Sequence, residues 1–201
     1  MNPEVRRCLW RAWGMCPRHG VGALAAEAAF RHGYLHGPAI LYADLMERAA
    51  RAFRLSGPLA GARLAHRLRS HGPCLMCEMG LGPDSPGFVS GPRLSTRRDL
   101  GPLRRFAGSV ERYWRGMVCG RCARTKGAAR CRGHLVQDLE RNPAPELARH
   151  RALVAWIARH TERFSASFRL DLSGTDTPEG RAALVSAVGW CSGWKVLLGL
   201  L

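Results

Sequence analysis

Ala39-Ile40-Leu41-Tyr42-Ala43-Asp44-Leu45-Met46-Glu47-Arg48-Ala49-Ala50-Arg51-Ala52-Phe53 puts Tyr42, Leu45 with Met46, Ala49 and Phe53 at helical spacing. These positions form one apolar stripe, and Asp44 and Glu47 fall on the polar face, so the segment predicts an amphipathic helix. The same periodicity recurs outward in both directions. Pro3 to Trp13 predicts a helix ended by Gly14, and Pro17 suits the first position of an Ala-rich helix running to Phe30. Further helices are expected over Leu59 to Leu68, Leu103 to Trp114 and Pro145 to about Phe164. Thr177 is placed as the N-cap of a last helix, with Pro178 at its first position. No segment sustains the alternation of a strand, so the fold class expected is all-α. Gly80 to Pro102, rich in Gly, Pro and Ser, reads as an irregular connection.

Between these helices lie pairs of soft ligands. Cys74-x-x-Cys77, Cys119-x-x-Cys122 and Cys131-x-x-His134 follow one another, and Cys16-x-x-His19 stands apart near the start. Two such pairs complete a tetrahedral zinc site, because residues three apart in a turn or first helical turn can face one ion. Six candidates sit in the later part of the chain where four suffice. Cys74, Cys77, Cys131 and His134 form one possible set; Cys74, Cys77, Cys119 and Cys122 form another. Cys16 and His19 are two ligands only and are the weaker candidates, read as a helix cap and a local hydrogen bond unless Cys8 or Cys191 completes them. His32 and His36 are four apart, but Gly33 interrupts the helix that would align them.

Trp13-Gly14-Met15-Cys16-Pro17-Arg18-His19 echoes the region around Cys119 and Cys131, which suggests two related modules breaking near Ser70. The division expected is 1–70, an N-terminal helical module with the partial CxxH unit, and 71–201, a zinc-organised helical module ending in a packing helix. On these motifs, together with Ala39 to Leu45 and Trp194-Lys195-Val196-Leu197-Leu198, the chain resembles a bacterial family built of repeated CPxC…GxCxxH units, a domain of unknown function. The resemblance covers most of the chain and rests on short motifs. It implies a helical fold, zinc-like ligation and no established activity. It also favours Cys74, Cys77, Cys131 and His134 as the ligand set, leaving Cys119 and Cys122 as nearby thiols or as ligands of another stoichiometry. Against that pattern the first unit lacks its CxxC, as though a site were lost or the start omitted an upstream pair.

Composition narrows the function classes. Formal net charge is +16 at pH 7, and among the basic residues only Lys126 and Lys195 are lysines. So basic a chain attracts polyanions through counterion release. From Arg93 to Arg132 twelve basic residues face only Asp99 and Glu111, with Phe106, Tyr113 and Trp114 among them. Arg97, Arg98, Arg104, Arg105, Arg112, Arg115, Arg121 and Arg124 are therefore the expected nucleic-acid contacts, with the aromatic rings available for base stacking.

The N-terminus has no apolar leader, so a cytoplasmic compartment with reduced thiols is expected for the eight cysteines. Ala182 to Leu201 is the one membrane-like stretch, but Ser186, Ser192 and Lys195 oppose insertion, and Gly189 and Gly193 weaken a lone helix. Docking on the protein's own core, or on a second copy as a homodimer, is expected instead. No Gly-rich phosphate loop, paired carboxylates or Ser/His/Asp arrangement argues for an enzyme or for a small-molecule substrate. The expected function is a non-enzymatic, zinc-stabilised binding or adaptor protein with nucleic acid as partner. Thiol redox chemistry at Cys119 and Cys122, or assembly through the C-terminal helix, are the alternatives.

Overall fold

In the computed structural model, residues 3–29, 35–82, 100–142 and 147–200 are described. Arg97 and Arg98, His32 and most of the Gly/Pro-rich connection lie outside them. Among the described residues the regular structure is helical throughout, without strands. In chain order the helices are α1 (Pro3–Arg11), α2 (Pro17–Ala29), α3 (His36–Ala52), α4 (Ala60–Leu68), α5 (Leu75–Glu78) and α6 (Leu100–Ser109). They continue as α7 (Glu111–Trp114), α8 (Gly120–Ala123), α9 (Arg132–Arg141), α10 (Ala148–Ala166), α11 (Pro178–Ser192) and α12 (Lys195–Leu200).

The expected stripe does bury α3: Tyr42, Leu45, Met46 and Ala49 are at most 1% exposed. This face packs against α10 and α11, α4 lies against α9, and α2 lies against α6. The layers share one hydrophobic cluster running from Leu9 through Met46, Leu135 and Ile157 to Leu197. Helices from both sides of residue 70 thus bury their apolar faces in each other.

α11 occupies the centre. Thr177 caps it by accepting from the Gly180 N–H at 3.1 Å, with Pro178 behind it, as its sequence predicts. Every residue from Ala182 to Cys191 is buried within the chain. Gly189 admits the Trp194 ring, whose atoms would lie 2.4 Å from a Cβ at that position. Among the described residues no helix is long and apolar enough to cross a membrane. The apolarity that makes this stretch look like a span is consumed, over Ala182 to Cys191, by the protein's own core.

Candidate metal centres

A turn and a hydrogen-bonded clamp bring Cys16 to its neighbours. At the end of α1, Trp13 and Gly14 both adopt left-handed conformations (φ 59° and 91°), and the Gly14 N–H donates to the Leu9 carbonyl at 2.7 Å. This closure points the chain at Cys16 and starts α2 at Pro17. Trp13, fully buried, donates from Nε1 to the Arg69 carbonyl at 3.1 Å. Arg11 and His71 clamp the same junction: the His71 N–H donates to the Arg11 carbonyl at 2.8 Å and an Arg11 Nη to the His71 carbonyl at 3.2 Å. The segment carrying Cys74 and Cys77 is thereby laid against the start of α2.

Cys16, His19, Cys74 and Cys77 converge there, their ligand atoms all within 4.8 Å of one another. His19 Nδ1 lies 3.3 Å from Cys16 Sγ, 3.5 Å from Cys74 Sγ and 3.4 Å from Cys77 Sγ. Cys16 and Cys77 sulfurs are 3.9 Å apart. The other ring nitrogen, Nε2, is 3.0 Å from the Leu81 carbonyl. Donation to that carbonyl places the proton on Nε2 and leaves Nδ1 free as a ligand, the orienting bond that metal-binding histidines use.

The second cluster repeats the design. Cys119, Cys122, Cys131 and His134 also bring their ligand atoms within 4.8 Å. His134 Nδ1 is 3.2, 3.5 and 3.3 Å from the sulfurs of Cys119, Cys122 and Cys131, and the Cys122 and Cys131 sulfurs are 3.7 Å apart. Each pair straddles a helix start, Cys119 preceding α8 and Cys131 preceding α9. Between them Gly120 touches Gly127, and its N–H donates to the Ala129 carbonyl at 3.0 Å, which folds the intervening loop back on itself.

These spacings fit a tetrahedral ion. Thiolate sulfur at about 2.3 Å and imidazole nitrogen at about 2.0 Å from zinc imply edges of about 3.8 Å between sulfurs and about 3.5 Å between sulfur and nitrogen. The sulfur–nitrogen distances of 3.2–3.5 Å and the Cys16–Cys77 and Cys122–Cys131 sulfur separations of 3.9 and 3.7 Å lie near those values, and no cysteine is in a disulfide. Electrostatics agree. Burial pushes the Cys74 thiol up, but backbone hydrogen bonds at Cys16, Cys77 and Met76 and the His19 side chain outweigh it and bring it down to about 7. In the second cluster, hydrogen bonds from the Cys122 and Cys131 side chains pull Cys119 down, while that same interaction pushes Cys122 and Cys131 up. One thiolate forms at the others' expense, a conflict that a shared cation removes.

The grouping corrects the expected ligand set. Cys74 and Cys77 do not meet Cys131 and His134; they complete Cys16 and His19, which are a ligand pair rather than a helix cap and a local hydrogen bond. Cys119 and Cys122 are not spares but half of the second cluster. The four pairs thus make two Cys₃His groups, each of one CxxC and one CxxH, and no pair is left over. The first is the more open, with Cys74 buried and Cys77 exposed; in the second, Cys119 and Cys131 are buried.

Several described residues of the expected basic face have partners. Arg104 donates to the Leu200 carbonyl at 2.6 Å, Arg115 pairs with Glu111, and Arg121 pairs with Asp138 at 2.9 Å. Arg112 lies on Tyr113, 4.7 Å from its centroid, and Arg104, Arg105, Arg112, Arg115 and Arg124 are all exposed. Two of the three rings turn inward: Trp114 is buried and stacks on Trp194 at 5.7 Å, and Phe106 packs near Phe164 at 6.2 Å. Arg132 is drawn into the core, donating to the carbonyls of Leu68 at 2.7 Å and Cys191 at 3.1 Å. Compared with known proteins, the chain matches no family model, no curated protein and no solved structure.

Proposed function

We propose that this is a non-enzymatic binding protein whose two Cys₃His clusters hold structural zinc and whose basic exterior takes nucleic acid. The observation that carries the zinc reading is the meeting of all four ligand pairs in two groups of four, each with its ligand atoms within 4.8 Å. Four protein ligands fill the coordination shell of zinc, so neither site keeps the open position that metal catalysis needs. Cys16, His19, Cys74 and Cys77 would hold one ion; Cys119, Cys122, Cys131 and His134 would hold the other. The metal would supply folding free energy, on the order of 10 kcal/mol per site in small zinc modules. A cytoplasmic compartment, where thiols stay reduced, belongs to the same reading.

Native mass spectrometry of the purified protein tests it. Two zinc ions per chain are expected, with loss of helical circular dichroism on chelation; one ion or none, or an unchanged fold after chelation, overturns the proposal. The nucleic-acid part rests on the net charge of +16 and is tested by salt-dependent binding of oligonucleotides. Redox chemistry at Cys119 and Cys122 has less support, since Cys119 is fully buried and both sulfurs face His134.

A further inference from the structure

A surface built for a polyanion lies on the outer side of the junction that the first cluster ties. Two adjoining cavities lie there. One, of about 370 Å³, is lined by Arg6, Arg7, Arg11 and Arg48 with Trp10. The other, of about 360 Å³, is lined by Arg48, Arg51 and Arg67 with Trp10, Trp13 and His66. Trp10, Arg48 and His71 border both, so the two form one groove with the Trp10 indole standing between its halves. Among the described residues no acidic side chain lines either half, although the Trp10 Nε1–H donates to Asp44 at 2.5 Å from behind.

Among the described residues, two of the groove's arginines have carboxylate partners, and the rest do not. Asp44 holds Arg6 at 3.0 Å from outside the groove, and Glu47 holds Arg51 at 3.5 Å. Among the described residues Arg7, Arg48 and Arg67 make no ion pair. Arg48 is the anchor: its guanidinium is half-buried, 5.0 Å from the Trp10 ring and 4.1 Å from Trp13, and bonds to the Trp10 carbonyl. A half-desolvated guanidinium fixed by two indoles, with Asp44 nearby but ion-paired to Arg6 instead, keeps donors for an anion arriving from solvent. Several fixed cations along a groove around an aromatic ring match a phosphodiester chain with unpaired bases, phosphates on the arginines and a base against the indole.

We infer that this groove, formed by α1, α3 and the end of α4, binds single-stranded nucleic acid. The inference rests on the nucleic-acid part of the proposed function and gives it a place. Arg7 and Arg67 are exposed, so changing them leaves the fold intact. The test compares wild type, Arg7→Glu with Arg67→Glu, and Arg105→Glu with Arg112→Glu on α6 and α7, using anisotropy of a labelled short oligothymidylate at several salt concentrations. The groove variant is expected to bind at least about tenfold more weakly, with its salt slope reduced by about 2, while the α6–α7 variant keeps most of its affinity. Equal losses in both variants overturn the groove and leave general nucleic-acid binding standing. A hairpin duplex that competes as well as the single strand overturns the single-strand assignment. Failure of the wild type to bind at low salt overturns both the groove and the reading beneath it, without touching the zinc sites.

Discussion

Gly120 is the residue on which the second cluster turns. A Cβ there would lie 2.1 Å from the Gly127 carbonyl oxygen, an immovable backbone atom. Gly120→Ala is expected to lower stability by about 1–3 kcal/mol and to speed metal loss from Cys119, Cys122, Cys131 and His134 in competition with a chromophoric chelator, with the first cluster unaffected. Unchanged release from the second site would remove Gly120 from this role. His150 sets a different residue-level expectation. It is buried with Nδ1 unpartnered, and burial, followed by the charges of Arg130 and Arg149, lowers its proton affinity. The fold favours the neutral ring, so the unfolded chain binds the proton first as pH falls below about 6.5. The stability this confers is present above that pH and lost as pH falls toward the lower folded value. His150→Leu should flatten this part of a denaturation profile; parallel profiles for variant and wild type would refute it. The ligands were legible as residue types because pairs of thiolates and imidazoles three apart are rare without a metal. Their grouping was not, since spacing within a pair says nothing of which distant pair it meets. Cys119 to His134 spans only 15 positions, and that short span was the available clue.

At the scale of elements, capping and periodicity carried the sequence reading far. Thr177-Pro178 starts α11 as its chemistry demands, and the Tyr42, Leu45, Met46, Ala49 stripe faces the core. Sequence could not decide what covers an apolar helix, because bilayer, second copy and own core all reward the same residues. α11 is enclosed by its own chain, and Val185 and Leu197 are fully buried. Val185→Asp or Leu197→Asp would therefore attack the core rather than a dimer seam. Gly189 gives the sharper element-level test. The Trp194 ring occupies the space of its Cβ, so Gly189→Ala must push apart α11 and the turn into α12 despite alanine's better helix propensity. Thermal denaturation is expected to show a net loss of about 1–3 kcal/mol; a gain would mean that the ring moves aside freely.

For the whole molecule, the two clusters differ in what they tie together. Cys16 and Cys77 are 61 positions apart, whereas the second cluster closes a segment of 15. Restraining the longer loop removes more entropy from the unfolded chain, by about 1 kcal/mol when the logarithm of the length ratio is scaled. The first cluster also joins the α1–α2 turn to the segment after α4, across the one hydrophobic cluster that both halves of the chain share. Its metal should consequently stabilise the entire fold, while the second mainly orders α8 and the start of α9. Exposure works the other way on rates, because Cys77 is the one ligand open to solvent, so the first ion is the easier to extract. Two measurements follow from this opposition. A chelator should remove the metal in two kinetic phases, with Cys77→Ser abolishing the faster. Urea unfolding should remain a single transition, shifted further by Cys16→Ser with Cys77→Ser than by Cys119→Ser with Cys122→Ser. Two separate unfolding transitions would show the halves to be independent, and a larger shift from the second pair would show that local ordering outweighs the long cross-link.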